Sequence, residues 1–523
     1  MEKFYLKYGK ATDTANGHDY IVYRFFEVLP GALAWATFFL IIFFSYFTPL
    51  WASLFIITFD TYWLVKTVFL SMYLRSSYKK MRLNLKKDWF DILKESGAAN
   101  KELGIGGWSE IYHLIILPFY KEPYEVVRET LLSLVDSNYP KDKMLVVLGV
   151  EERAGSGAYD TASRLKEELG GEFFKFFISA HPVNIAGEMP GKGANETWAA
   201  REAKEKIIDP EKIPYQNIIV SSLDIDTRVY PDYFAIVSYN YLSSPKPLRS
   251  SFQPIPIYNN NIWDAPFFSR VVASSGTFWQ MMQQARPERL ATFSSHSMPF
   301  KSLVEMNYWH TNIVSEDSRI FWQSLLFYDG DWKTIPLYYP VSMDANVGLS
   351  LPETVKNVYI QQRRWAWGAE NIPYTFFGFV KNKKIPLGKK LFFSFIKIES
   401  LWSWATNAIM IFFLGWLPII LGGQEFNISL LSYNLPRVTR ILMTFSMFGL
   451  ITSAILSTSL LPERPKTKSK IIFIWMFLQW LLLPFTIIIF GSIPAIDAQT
   501  RLMLGKYMSF WVTPKYRGNP KTG

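Results

Sequence analysis

Asn217-Ile218-Ile219-Val220-Ser221-Ser222-Leu223-Asp224-Ile225-Asp226 decides the fold. Its first seven residues are rich in β-branched and aliphatic side chains, which predicts a buried strand over 217–223. The strand runs directly into two carboxylates. In extended backbone alternate side chains share a face, so Asp224 and Asp226 turn toward one pocket, and Asp226 offers hard oxygen to Mg²⁺ or Mn²⁺.

Upstream, strands and helices alternate: a short apolar run at 112–119, helical spacing over 123–135, a strand at 144–150, a helix at 159–169, a strand at 173–179 and a helix at 195–208. This rhythm predicts an α/β domain with a doubly wound, mostly parallel sheet. In such sheets ligands bind beyond the carboxyl ends of the strands, where Asp224 and Asp226 stand.

Downstream lie Ser315-Glu316-Asp317 and Gln361-Gln362-Arg363-Arg364-Trp365. Glu316 and Asp317 suit a helix N-terminus before Arg319-Ile320-Phe321-Trp322. Helical spacing puts Gln361, Arg364 and Trp365 on one face and turns Gln362 and Arg363 elsewhere, with Arg363 toward lipid headgroups. Arg364 carries a fork that fits a diphosphate, Gln361 a neutral donor, and Trp365 a flat face for a sugar. His310, between Trp309 and Thr311, is a rival base and a pH-sensitive group.

At 523 residues the chain has room for about three domains, but 49 % hydrophobic and 17 % aromatic residues assign part of it to a membrane. The net charge of +11 does not indicate nucleic acid. The basic residues crowd the edges of apolar blocks: Arg75, Lys79, Lys80, Arg82, Lys86 and Lys87 on one side, Lys381, Lys383, Lys384, Lys389 and Lys390 on the other. That is the positive-inside pattern, with attraction to anionic membrane lipids. The absence of cysteine excludes disulfides, thiolate catalysis and Cys-ligated zinc.

Five segments reach the roughly 20 residues a span needs: 29–49, 51–74, 401–422, 441–461 and 471–490. The resulting division is a cytoplasmic segment 1–28, a two-helix hairpin 29–74, a basic juxtamembrane segment 75–110, a cytoplasmic catalytic domain 111–385, an interfacial amphipathic helix 386–400, a membrane region 401–500 of about three spans and a basic tail 501–523. A fifth span would put that tail outside, against the positive-inside pattern, unless residues after 490 re-enter or lie along the interface. Asp60 and Lys66 interrupt the second span without sharing a helical face; Lys66 is expected to snorkel and Asp60 to hydrogen-bond within the bundle.

Residues 111–368 resemble the catalytic domain of membrane-embedded family-2 glycosyltransferases, the inverting GT-A group that includes cellulose, chitin, mannan and hyaluronan synthases. Leu117-Pro118-Phe119-Tyr120 with Glu122 resembles its first-strand nucleotide motif, and Glu151 and Glu152 stand where many members hold the base and ribose. Gly191-Lys192-Gly193-Ala194-Asn195 resembles its donor loop. Phe293-Ser294-Ser295-His296-Ser297 lies where many members carry a Phe-x-Gly-Ser acceptor loop, but the glycine is missing.

The resemblance implies a GT-A-type domain inserted between transmembrane helices. Pro118, Tyr120, Glu122, Glu151, Glu152, Lys192, Asn195, Asp224, Gln361 and Arg364 would bind a UDP- or GDP-sugar, and Asp226 the metal. Asp317 would be the base, and Ser295, His296, Glu316 and Trp365 would meet the acceptor. The expected activity is transfer of a hexosyl group to a carbohydrate acceptor at the cytoplasmic face of a plasma or inner membrane, extending a polysaccharide coupled to export. The alternatives are transfer of one sugar to a membrane lipid and a catalytically silent transport or scaffold subunit.

Overall fold

The computed structural model describes residues 3–14 and 16–516. Eight strands form one sheet: β1 (Tyr112–Phe119), β2 (Met144–Glu151), β3 (Lys175–His181), β4 (Ile218–Ser222), β5 (Arg228–Val229), β6 (Ser250–Tyr258), β7 (Ser297–Pro299) and β8 (Lys333–Met343). Their order is β3-β2-β1-β4-β7-β6-β8-β5. The first four pair in parallel, as the alternating pattern predicts. Beyond β4 the sheet is mixed, because β7 pairs antiparallel with β4 and β6, and β5 antiparallel with β8. In its second half the sheet keeps one long parallel pairing, β6 with β8, and the antiparallel pairings are confined to the short strands β7 and β5. These two strands, of three and two residues, are too short to leave a periodicity in the sequence.

β1, β2 and β4 are wholly apolar at their centres and buried on both faces, as a sheet covered by helices requires. One face holds Ile115, Leu117, Leu131 and Phe234; the other holds Leu114, Val147, Val220 and Phe321.

Two long helices lead into this domain, α1 (Gly17–Phe47) and α2 (Pro49–Asn84), and both are long and apolar enough to cross a membrane. So is the helical stretch Ile472–Met503, and so is the pair Leu387–Phe412 with Leu414–Leu421, bent by 52°. The expected span at 441–461 belongs to the helix Leu430–Ser459, which lies along α2 near Thr67 and Ser71.

Three membrane expectations are corrected. The interfacial segment 386–400 is not separate: it is continuous with the following span in Leu387–Phe412. Its charges are satisfied inside the protein, Lys397 over the Trp322 ring at 3.6 Å and Glu399 against Lys66. Lys66 accordingly does not snorkel; it meets Glu399 and the face of Trp63 at 4.2 Å. Asp60 does find a bundle partner, accepting from Thr439 at 3.4 Å.

The third correction concerns the C-terminus. Ile472–Met503 runs against the catalytic domain, with Gln479 accepting from Arg270 at 2.8 Å, Phe490 stacked on Phe268 and Asp497 paired with Arg363 at 2.9 Å. Lys468 just before it reaches Asp264 at 2.9 Å. Both ends of this stretch thus contact the catalytic domain, and the basic tail starts beside it. Arg517 of that tail falls outside the described residues.

Candidate functional site

The carboxyl ends of β1, β2 and β4 open into one cavity of about 720 Å³. Pro118, Tyr120, Glu122, Glu151, Lys192, Asp224, Asp226, Glu316, Asp317, Gln361, Arg364 and Trp365 all line it. Glu122 tightens the turn after β1 by accepting from the Tyr120 and Lys121 amides at 2.8 and 3.1 Å. Glu151 is paired with Arg153, whose guanidinium covers the Tyr120 ring at 4.6 Å.

Lys192 sits at the centre, 8 % exposed, at the start of the helix Lys192–Ala203. Its ammonium donates to Asp224 at 2.6 Å and to both oxygens of Asp317 at 2.7 and 2.9 Å. Glu196 and Glu316 stand 3.6 and 3.9 Å away. Glycine at 193 is required for this seat, because a Cβ there would lie 2.5 Å from the His310 carbonyl oxygen. Burial opposes charge on Lys192, but the surrounding carboxylates outweigh it and hold its pKa well above the ordinary lysine value. Burial likewise opposes charge on Asp224, and Lys192 reverses that to hold it low. Burial and the Asp317 charge raise Glu316. Burial lifts Glu196 to about 8.

Asp226 is fully buried. Its Oδ2 accepts from the Asp344 amide at 2.9 Å and from Lys515 at 2.6 Å, whereas Oδ1 has no hydrogen-bond partner among the described residues. Burial and the Asp226 charge push Asp344 up to about 7. Burial disfavours the Lys515 ammonium, but Asp226 and Asp344 raise it. Lys515 belongs to the segment Phe510-Trp511-Val512-Thr513-Pro514-Lys515, which enters the cavity from the tail. The sequence reading missed this segment. A lysine and aromatic residues at an apolar-to-basic terminus resemble a membrane flank, and nothing in the periodicity brings position 515 to position 226.

The helix Leu351–Ala366 presents Gln361, Arg364 and Trp365 to the cavity, as its spacing predicts. Gln362 also lines it, contrary to expectation, with Nε2 buried and unpartnered. The cavity wraps more than one face because the tail covers the helix: Arg364 lies 5.1 Å from the Phe510 ring. Arg363 is not on lipid but on Asp497. Trp365 is held 6.0 Å from both Tyr258 and Phe293.

Four expected contact residues do not face the cavity. Asn195 bonds the Gly149 carbonyl at 2.7 Å, and Glu152 accepts from the Val183 amide at 3.2 Å. Ser295 and His296 are fully buried behind Phe293 and Ser294, which take the wall positions instead. Ser294 donates to Asp224 at 2.6 Å. Ser295 has φ of +63°, so the position where the resembling loops carry glycine keeps a left-handed backbone with a serine. His310 is buried against Tyr374 and does not line the cavity, and burial pushes its pKa down to about 3.

The same cavity continues between the long helices, past Trp63, Lys66 and Leu70 of α2, Trp404, Asn407 and Phe412 of Leu387–Phe412, and Ile487 and Phe490.

Among the described residues no group of three His, Cys, Asp or Glu side chains is arranged to hold a metal. The orphaned Asp226 Oδ1 and the neighbouring Asp344 nevertheless form a buried, oxygen-only donor pair of the kind Mg²⁺ or Mn²⁺ takes.

No protein-family model and no curated protein matches the chain. Among solved structures it is similar to the mannosyltransferase PcManGT from Pyrobaculum calidifontis in complex with GDP-Man and Mn²⁺, at 14 % identity over 77 % of this chain and 98 % of that one, with a TM-score of 0.40. It is also similar to S. aureus TarS 1-349 in complex with UDP-GlcNAc, at 9 % identity over 76 % and 93 % of the two chains, with a TM-score of 0.36.

Proposed function

We propose that the chain is a membrane-bound, inverting glycosyltransferase that moves a sugar from a UDP- or GDP-sugar to a carbohydrate acceptor, extending a polysaccharide that leaves through the membrane helices. The observation that carries this reading is the single cavity joining Asp224, Asp226, Asp317 and Arg364 to a passage between the long helices. A scaffold subunit has no need of these charges in one cleft.

In this reading Asp317 accepts the proton of the acceptor hydroxyl while its oxygen attacks the anomeric carbon, and the bond to the diphosphate breaks on the opposite side. One displacement inverts the configuration. Arg364 and Lys192 meet the negative charge that develops on the leaving group. Asp226 and Asp344 would hold Mg²⁺ or Mn²⁺, which neutralises the diphosphate when bound. Trp365, braced by Tyr258 and Phe293, gives the acceptor ring a flat surface. The catalytic domain lies on the cytoplasmic side of a plasma or inner membrane, by the Lys/Arg clusters at 75–87 and 381–390.

A second reading, transfer of one sugar to a membrane lipid, is favoured by the apolar lining of the cavity's inner half. The test is to incubate the purified chain in nanodiscs with a panel of UDP- and GDP-sugars, with and without chelator, measuring released nucleotide diphosphate and sizing the labelled product. High-mass material supports the synthase. One organic-extractable species selects the lipid reading, and release from no donor rejects both.

A further inference from the structure

Away from the cavity's charged end, three cations gather where the catalytic domain meets the spans. Lys66 of α2 lies within electrostatic reach of Arg286 and Arg289, which follow the helix Phe267–Gln284, with Glu399 as the shared acidic neighbour. Glu399 is already engaged by Lys66 and by the Tyr62 hydroxyl at 3.3 Å. Glu288, the other acid acting on Arg286, is exposed.

Arg286 is only 8 % exposed. Its Nε donates to the Met282 carbonyl at 3.3 Å and its guanidinium lies 5.3 Å from the Tyr73 ring, but among the described residues its buried Nη2 has no hydrogen-bond partner, and neither has the buried Nε of Arg289. Burial and the Arg289 charge push the Arg286 pKa down to about 10, so the site resists its own charge. Buried N–H groups of a cation left without an acceptor are costly, and the arginine fork matches phosphate oxygens.

The level of the cluster points to the source of that phosphate. Lys66 is about 25 Å along α2 from Pro49 at 1.5 Å per residue, close to the inner limit of a hydrocarbon layer about 30 Å thick. Val65, Val68, Phe69 and Met72 around it are exposed and apolar, as on a lipid-facing surface. α2 and Leu387–Phe412 touch at Phe59 and Trp402, and one helical stage further toward the catalytic domain they are bridged by Lys66 and Glu399, with the arginines beyond.

We propose that Lys66, Arg286 and Arg289 hold the phosphate of an anionic membrane lipid headgroup between α2 and Leu387–Phe412, at the inner half of the cavity, which Lys66 lines. This site stands independently of the reading of the active centre, since its test uses no sugar donor.

The full chain, purified in detergent, is titrated with phosphatidylglycerol or phosphatidylcholine and bound lipid is read by native mass spectrometry, with inorganic phosphate as competitor. Phosphatidylglycerol should be retained preferentially, and Arg289→Gln should weaken it about fivefold, as expected for about 1 kcal/mol per basic residue near an anionic surface. Arg286→Lys keeps the charge, loses the fork and should give a smaller loss in a folded protein. Inorganic phosphate should not displace the lipid. Equal retention of the two lipids, an unchanged Arg289→Gln variant, or full displacement by inorganic phosphate overturns the proposal.

Discussion

At its inner half the cavity is walled by Trp63, Leu70, Trp404, Phe412, Ile487 and Phe490, and at its outer half by Lys192, Asp224, Asp226, Glu316, Asp317, Asp344, Arg364 and Lys515. In the outer half both lysines are paired before any ligand arrives: Lys192 with Asp224 and Asp317, Lys515 with Asp226. A ligand there must exchange one ion pair for another. In the inner half a ligand gains mainly by covering apolar surface, with Lys66, Asn407 and the hydroxyls of Ser400, Ser403 and Thr486 as polar contacts. Chemistry and passage are thus separated along one channel, and substitutions at the two ends should fail differently.

The sharpest contrast comes from Asp317→Asn. If Asp317 is the base, transfer should fall by about 10²–10⁴-fold while nucleotide binding, read by calorimetry, stays near that of the parent. Wild-type turnover in this variant would break the assignment of chemistry to the outer half.

Lys515→Met should act in the opposite direction on cation binding. The lysine and a divalent cation compete for Asp226, and a charge-assisted bond of about 1.5–3 kcal/mol corresponds to roughly ten- to a hundredfold. Mn²⁺ affinity measured without nucleotide should rise by that factor; an unchanged affinity would remove Asp226 as the metal ligand. Chelation should abolish turnover of the unmodified chain.

At the inner half, Trp404→Leu removes an aromatic surface worth about 1 kcal/mol. Product yield should drop about fivefold while donor affinity is unchanged. A loss of donor affinity as large as the loss of yield would mean that the two halves are not separable.

The outer half should also be the more sensitive to pH. Glu196 is raised to about 8 by burial, against about 4.3 for a free glutamate. Between these values the folded state binds the extra proton, so this contribution to stability is present below about 4.3 and is lost as pH rises toward 8. Melting temperature should fall across that window, and Glu196→Gln should flatten the fall.

Much of this was legible in the sequence, and what was not has a common cause. The strand expected over 217–223 with the carboxylates that follow it, the helix start at Glu316 and the face of Gln361, Arg364 and Trp365 are set by local periodicity, and the structure puts Asp224, Asp226, Glu316, Gln361, Arg364 and Trp365 on the cavity. Lys515 on Asp226, Arg363 on Asp497 and Lys66 on Glu399 join residues 289, 134 and 333 positions apart. Each is a charge that looked like a solvent or lipid contact because its partner lies outside any window of local reading. The same holds for the expected interfacial helix 386–400, whose Lys397 lies over the ring of Trp322.

Ser295 gives the smallest expected effect and separates backbone from side chain just behind the wall of the outer half. Its φ of +63° is a conformation that costs an L-residue about 1–2 kcal/mol, and its hydroxyl recovers part of that through a 2.9 Å bond to Thr227, next to Asp226. Ser295→Gly removes the strain and a bond of about 1 kcal/mol together, so the melting temperature should change little. Ser295→Val keeps the left-handed backbone, adds a β-branched side chain that tolerates it poorly, and loses the bond, so it should destabilise clearly. If glycine destabilised as much as valine, the hydroxyl bond to Thr227 and not the backbone would be what fixes this loop beside Asp224, and Thr227→Val should then reproduce the glycine defect.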